Sequence, residues 1–287
     1  MNENVDHTKV DAAFIKSIYK KRDPFTHKGD YGHACLITGS VGLMGAAVLA
    51  TKACLRAGAG KVTVYSPKIG CEILQISAPE AMTKIAGENY ILSVDDLNKY
   101  DSMAIGPGIG LYESHKDLLK NIFLNFDKPM VIDADALNTL SNYQELLEFN
   151  LENSIITPHA VEFERLFGKT ANEVDRNNLA MQMSHRYKIF IVLKGHNTLV
   201  TTPDGKCFLN TTGNAGMATR GSGDVLTGIL TGLLAQKYLV EEACLLGVFI
   251  HGLAGNIAAK NLSEEAMIAG DIINYLGEAF KKVSRCA

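Results

Sequence analysis

NTTGNAGMATRGSGDVLTGILTGLLAQ, residues 210–236, changes character at its midpoint. The first half is loop chemistry: threonine, asparagine and the glycines Gly213, Gly216, Gly221 and Gly223. The second half carries apolar residues at Val225, Leu226, Ile229, Leu230, Leu233 and Leu234, the three-to-four spacing of an amphipathic helix. Between them, Gly221-Ser222-Gly223-Asp224 feeds backbone N–H groups into a helix N-terminus. Such a terminus has unpaired donors and about half a unit of positive charge, which favours an anion. Asp224 at that place has two readings, a helix cap or a base beside a transferring phosphoryl group. The loop likewise reads as a turn and cap or as a phosphate cradle.

Upstream, apolar runs alternate with helical patterns. Residues 33–38 (HACLIT) are a continuous apolar strand, Gly39-Ser40-Val41-Gly42 a turn, 44–57 an alanine-rich helix stopped by Gly58 and Gly60, and 61–65 the next strand. A strand, turn, helix and strand in that order form a right-handed βαβ unit by default. Further strands are expected at 102–105, 130–132, 154–157 and 189–193, with helices at 113–124, 136–140, 161–167 and 173–187. Strands apolar on both faces and separated by helices predict an α/β fold with a mainly parallel sheet covered on both sides. Residues 198–202 and 207–209 flank Pro203-Asp204-Gly205, a hairpin signal that adds antiparallel edge strands. The C-terminal third reads as helices at 224–236, 241–260 and 264–282. Residues 11–19 read as a short surface helix and 20–32 as a connector. With no repeat, low-complexity tract or long linker, residues 1–287 are expected to form one domain, 1–32 being its N-terminal helix and connector.

Composition removes several classes of function. Hydrophobic residues at 47% and charged residues at 21% describe an ordinary globular chain with ample core material. Lysine plus arginine (28) against aspartate plus glutamate (31) gives −3, so neither nucleic acid nor an anionic membrane is an expected partner. Cys35, Cys54, Cys71, Cys207, Cys244 and Cys286 lack CxxC spacing and read as free thiols of a reducing compartment. The opening MNENVDHTKVD is too polar for a signal peptide, and the apolar run 243–259, interrupted by His251 and Asn256, reads as a buried helix short of a membrane span. The expected location is the cytoplasm.

Ligands of open parallel sheets sit beyond the carboxyl ends of the strands, and the informative residues fall there. After successive strands come Gly39–Ala46 with GxxGxxG spacing, Gly106-Pro107-Gly108-Ile109-Gly110, Asp133-Ala134-Asp135, Thr157-Pro158-His159-Ala160-Val161-Glu162, and Lys194-Gly195-His196-Asn197-Thr198. Singly, Asp133 and Asp135 could cap a helix, His159 could be structural and Lys194 a strand-end charge. Jointly they read as a site.

These blocks carry a family resemblance. GNAGMATRGSGDVLTG resembles the anion-hole segment of the ribokinase-like superfamily and, more narrowly, of the NAD(P)H-hydrate dehydratases. KGDYGH, GSVGLMGAAVLA, LRAGAGKV, GPGIG, IDADALN, TPHAVEFERL and KGHNTLV are similar to that family's blocks, in the same order. Two departures stand out: His159-Ala160-Val161-Glu162 replaces a commoner HPGE wording, and Arg220 stands where a small residue is frequent, which bears on nucleotide preference. The Met44 helix follows the first strand too closely for the β-stranded lid of sugar kinases, which points to the lidless subgroup.

The resemblance implies a ribokinase-like three-layer fold and repair of hydrated NADH or NADPH. A phosphoryl group passes from ADP (bacterial type) or ATP to the ring hydroxyl, and phosphate then leaves. The GNAGMAT wording looks bacterial and favours ADP. Asp224 would be the base, with Gly221, Ser222 and Gly223 stabilising the phosphoryl group. Ala46, Gly108, His159 and Asp224 would line the hydrated dinucleotide, Gly108 being a glycine because a Cβ would fill the space the ligand needs. Lys194, Gly195, His196, Asn197, Thr198, Asn214 and Gly223 would hold the nucleotide. Mg²⁺ is implied as a cofactor, with no residues assigned to it. A homotetramer and cooperation with an NAD(P)H-hydrate epimerase are implied as well. The competing readings are a small-molecule kinase of the same superfamily and a catalytically silent nucleotide sensor; consumption of nucleotide, and the acceptor used, separate the three.

Overall fold

The computed structural model describes residues 7–285; Cys286 lies outside them. The strands are β1 (Thr8–Val10), β2 (His33–Ile37), β3 (Lys61–Ser66), β4 (Met82–Ile85), β5 (Ser102–Ile105), β6 (Met130–Ile132), β7 (Ile155–Ile156), β8 (Phe190–Leu193), β9 (Thr198–Thr201) and β10 (Cys207–Asn210). They form one sheet in the order β1-β10-β9-β8-β7-β6-β5-β2-β3-β4. Every neighbouring pair is parallel except the two involving β9. The hairpin stands where Pro203-Asp204-Gly205 places it, but it is not the edge: β1 pairs in parallel outside β10. Three residues of a polar N-terminal segment give no pattern from which that strand could be read. β4 and the helix before it were likewise not evident in the sequence, because β4 is an edge strand with no fully buried residue and so no apolar run.

The helices are α1 (Ala12–Ile18), α2 (Met44–Ala57), α3 (Lys68–Ser77), α4 (His115–Asn125), α5 (Asp135–Asn142), α6 (Ala160–Phe167), α7 (Glu173–Tyr187), α8 (Ser222–Ala235), α9 (Val240–Leu262) and α10 (Ala269–Arg285). Successive strand residues point to opposite faces, so each strand feeds two cores. Ala34, Leu36, Val62 and Val64 pack with α2, α8, α9 and α10. Cys35, Ile37, Ile105 and Ile132 pack with α4, α5, α6 and α7. The double-sided burial is why these strands read as unbroken apolar runs. The same burial leaves Cys35, Cys54, Cys207 and Cys244 as free, buried thiols, with Cys71 partly exposed.

Two helical segments differ from the sequence reading. α10 starts at Ala269 rather than at Glu264, with Asp271 accepting from Ile268 N–H at its first turn. α9 runs unbroken through His251 and Asn256. It is long and apolar enough to cross a membrane, contrary to the expectation that this run falls short, yet 72% of its apolar window is buried inside the protein.

Two features of this architecture make a site. From β2 the chain runs outward through β3 to β4, returns to β5 on the other side of β2, and continues outward to β8. Strand order therefore reverses between β2 and β5, and the crevice opens at their carboxyl ends. The second feature is the contact of α2 with α8. A Cβ on Gly228 would lie 2.2 Å from the Ala50 carbonyl oxygen, and one on Gly232 would lie 2.8 Å from that of Cys54. Ala47, Ala50, Ala53 and Ala57 are buried on the facing side of α2, so both helices present small residues at the contact.

Gly228→Ala should therefore lower stability by about 1–3 kcal/mol through overpacking, measured by denaturant unfolding. Gly277→Ala, in α10 with open space around the new Cβ, should instead gain about 0.5–1 kcal/mol from helix propensity.

Candidate active site

α8 begins above the crevice. Gly221 is its N-cap, left-handed at φ 97°, and a Cβ there would also strike Leu49 of α2, 2.5 Å from Cδ1. Ser222 N–H turns back to the Thr219 carbonyl at 3.3 Å. Ser222 is therefore not a free backbone donor, unlike the sequence expectation for Gly221-Ser222-Gly223. The N–H groups of Gly221, Gly223 and Asp224 have no acceptor among the described residues. The Ser222 carbonyl is held from behind by His251 Nε2 of α9 at 3.0 Å, with the Ser222 hydroxyl 3.3 Å from the same nitrogen. Burial lowers the His251 pKa to about 4, so this imidazole is neutral and donates through Nε2–H.

Asp224 sits in the first turn of α8, but the helix has no side-chain cap and the Asp224 carboxylate accepts no hydrogen bond from a described residue. Capping does not account for it. Burial, and next the charge of Asp133, push its carboxyl up to about 7, against the opposing pull of Lys194 and Arg220. Lys194 Nζ is 2.9 Å from Asp133 Oδ1 and 4.0 Å from Glu162 Oε2. Burial alone would favour the neutral amine, but the two carboxylates outweigh it and raise the Lys194 pKa. Asp133 is itself 1% exposed and also accepts from Thr227 Oγ1 of α8 at 2.7 Å. One carboxylate thus ties the end of β6 to the end of β8 and to the first turns of α8.

The loops between strand and helix complete the wall. Gly108, at φ +65°, packs its Cα where a Cβ would be 2.8 Å from Leu43 O and 3.0 Å from Ala46 Cβ. The protein's own packing requires glycine there, whereas the sequence offered ligand approach as the reason. Ser40 Oγ donates to Gly108 O at 2.8 Å, locking the two loops of the crevice together. Asp135 Oδ2 accepts from Gly110 N–H at 2.8 Å. Between the two aspartates Ala134 adopts φ 50°, ψ −119°, a conformation disfavoured for an L-residue that sets Asp133 and Asp135 on the cavity wall. His159 caps α6, its Nδ1 accepting from Val161 N–H and Glu162 N–H while Glu162 returns a bond to His159 N–H. The HAVE wording therefore keeps a complete capping box, with Ala160 in the first helical position where proline is also tolerated.

The crevice holds one cavity of about 1320 Å³. Asp224, Gly221, Ser222, Gly223, Ala46, Gly108, His159, Lys194, Gly195, His196, Thr198 and Asn214 all border it; Asn197 does not. Asn214 spends its Oδ1 on Gly216 N–H, capping a short turn of helix. The sequence reading left Asp133, Glu162 and His251 without roles. Asp133 had a cap-like reading, Glu162 stood only as part of the His159–Glu162 block, and His251 was visible only as a polar interruption of an apolar helix.

The fold is ribokinase-like: a ribokinase-like superfamily protein of Enterococcus faecalis superposes with a TM-score of 0.84 at 27% identity, covering 96% of each chain. A family model described as NAD(P)H-hydrate dehydratase matches residues 34–277. The chain belongs to the NAD(P)H-hydrate dehydratase family. It is 37% identical over 262 residues to the ADP-dependent (S)-NAD(P)H-hydrate dehydratase of Neisseria meningitidis, covering 89% of this chain and 87% of that one. It is 40% identical over 276 residues to the bifunctional NAD(P)H-hydrate repair enzyme Nnr of Moorella thermoacetica, covering 92% of this chain. It spans about half the length of such bifunctional relatives (52% in that case). Among solved structures, the ADP/ATP-dependent NAD(P)H-hydrate dehydratase of Bacillus subtilis, co-crystallised with ATP/Mg²⁺, superposes with a TM-score of 0.85 at 28% identity, covering 97% of this chain and 99% of that one.

The environment of Asp224 has a consequence for stability. A carboxyl whose folded pKa is raised binds its proton in the folded chain at pH values where the unfolded chain has lost it. Stability from this group is therefore lost as pH rises from the ordinary value of 3.8 to about 7. Asp224→Asn removes that loss. Its melting temperature should rise above wild type progressively between those pH values and stay a constant interval above it at higher pH.

Proposed function

We propose that the protein is an ADP-dependent (S)-NAD(P)H-hydrate dehydratase. The observation that carries this reading is the Asp224 carboxylate, engaged in no cap and set beside the free N–H groups of Gly221 and Gly223 in a cavity large enough for two substrates. The cavity volume of about 1320 Å³ exceeds the roughly 300–1,000 Å³ of a single-ligand pocket. Family membership and the names of the relatives support the choice of substrates.

In this reading the hydrated nicotinamide lies near Ala46, Gly108 and His159, and the nucleotide lies near Lys194, Gly195, His196, Thr198, Asn214 and Gly223. Asp224 takes the proton of the ring hydroxyl as its oxygen attacks the terminal phosphorus of ADP, and AMP departs. The ring nitrogen lone pair then expels phosphate as the C–O bond breaks, leaving an iminium, and loss of a proton from the adjacent ring carbon forms the C=C bond and returns the lone pair to nitrogen. Net, the hydrate and ADP give NAD(P)H, AMP and phosphate, and the hydrate oxygen ends in the phosphate. The carboxyl pKa of about 7 suits a group that must accept a proton near neutrality. Free amides at the α8 terminus would stabilise the phosphoryl oxygens.

Among the described residues no group of three metal-binding side chains is placed to hold an ion. That fits Mg²⁺ arriving on the nucleotide phosphates and taking one or two carboxylates; Asp135, with one oxygen left over from its bond to Gly110, is the lining residue suited to it. Bound there, Mg²⁺ would neutralise charge on the phosphates. The reading extends to a cytoplasmic homotetramer and to cooperation with an NAD(P)H-hydrate epimerase, the match covering 52% of a bifunctional relative's length.

Hydrated NADH supplied with ADP and Mg²⁺ should regain the near-ultraviolet absorbance of the dihydronicotinamide, and oxygen-18 in the hydrate hydroxyl should appear in phosphate. Absence of both, with phosphorylation of a small alcohol instead, would assign the kinase alternative. Asp224→Asn should lose about 100-fold or more in kcat while binding ADP normally, and the wild-type rate should rise with pH through about 7 as the carboxyl ionises. Near-normal turnover by the variant would leave the mechanism without its base.

A further inference from the structure

The cavity wall is acidic, yet the proposed substrates are anions. Asp133, Asp135, Glu162 and Asp224 line it, and the lining cations among the described residues are Lys194 and Arg220. Lys194 is already committed to Asp133 and Glu162. Arg220 is different: it is exposed on the lip of the cavity, and its guanidinium makes no hydrogen bond, ion pair or ring contact with a described residue. It immediately precedes Gly221, whose missing Cβ faces Leu49 and Ala269. Arg220 lines the cavity with its charge acting on Asp224, and it is next in the chain to the amides that Gly221, Gly223 and Asp224 leave open. A planar guanidinium beside unpaired N–H groups matches the geometry of a phosphate oxyanion, which accepts two parallel bonds from arginine.

We propose that Arg220 is a phosphate-binding residue of this cavity, engaging a phosphate group of a substrate held against the start of α8. The identity of that substrate rests on the proposed reaction. Three phosphates qualify chemically: the terminal phosphates of ADP, the diphosphate bridge of the dinucleotide, and the 2′-phosphate of its NADP form. All three share the dianionic or diester oxygens that Arg220 would hold. An uncommitted cation at the rim of a cavity lined by four carboxylates also attracts an anion that the wall would otherwise repel.

Calorimetric titration of the full chain with ADP plus Mg²⁺, with NAD⁺ and with NADP⁺ tests this, comparing wild type, Arg220→Gln and Arg220→Lys. Because the side chain is exposed and unpaired, both variants should melt at the wild-type temperature. At least one ligand should bind about tenfold or more weakly to Arg220→Gln, the size of one charge-assisted bonded pair, with Arg220→Lys in between. A loss confined to ADP assigns the terminal phosphates. A loss for NADP⁺ alone assigns the 2′-phosphate, and equal losses for both dinucleotides assign the diphosphate bridge. Wild-type affinity of Arg220→Gln for all three ligands overturns the proposal. So does a variant whose only change is the pH dependence of turnover, since that places the action of Arg220 on Asp224 instead. If wild type itself binds none of the three, the proposed function fails and the phosphate role fails with it.

Discussion

The close approach of α2 and α8 is the constraint from which the site follows. Two carbonyl oxygens of α2 occupy the space that side chains on Gly228 and Gly232 would need, so the helices meet almost backbone to backbone. Dispersion contacts and burial of the small faces favour that approach, and any larger residue at the contact would push the axes apart. The position of α8 against α2 is thereby constrained, and with it the place where its first amides open. A loop could carry the same residues, but it could not hold them against a shared wall as closely.

Charge is arranged around that fixed point in an uneven way. Asp133 is paired with Lys194 and bonded to Thr227; Glu162 serves the cap of α6; Asp135 holds Gly110. Asp224 alone among these carboxylates is left without a bond to a described residue, and burial, then the charge of Asp133, raise its proton affinity. The neutral His251 behind Ser222 adds rigidity without adding a positive charge that would draw the Asp224 pKa back down.

Much of this was legible in the sequence because it depends on local chemistry. Helices α2 and α7 and strands β5 and β6 fall on their expected residues, since each combines a clear apolar period with a glycine, proline or polar stop. The strand-end blocks pointed to the cavity for the same reason. What stayed hidden depends on distant partners. β1 exists only because β10 offers it an edge, and β4 lacks an apolar pattern. Asp133 gains its role from Lys194, sixty-one positions away, and His251 from Ser222, twenty-nine away. Gly108 was read correctly as a residue that tolerates no side chain, but the obstacle is Leu43 and Ala46. Such reasons lie in which loops touch, and a linear chain does not display them.

The double engagement of α8 has a consequence for how this stretch can change over time. Within two turns of the helix, Gly221 fits against Leu49, Gly223 faces Lys194, Thr227 serves Asp133 and Gly228 presses on Ala50, while Val225 and Leu226 are buried between them. Consecutive positions answer to different neighbours, so no single compensating replacement elsewhere can free them together. Drift through this window is therefore confined to a very small alphabet at each place, whereas the exposed faces of α4 or α7 can exchange residues almost at will.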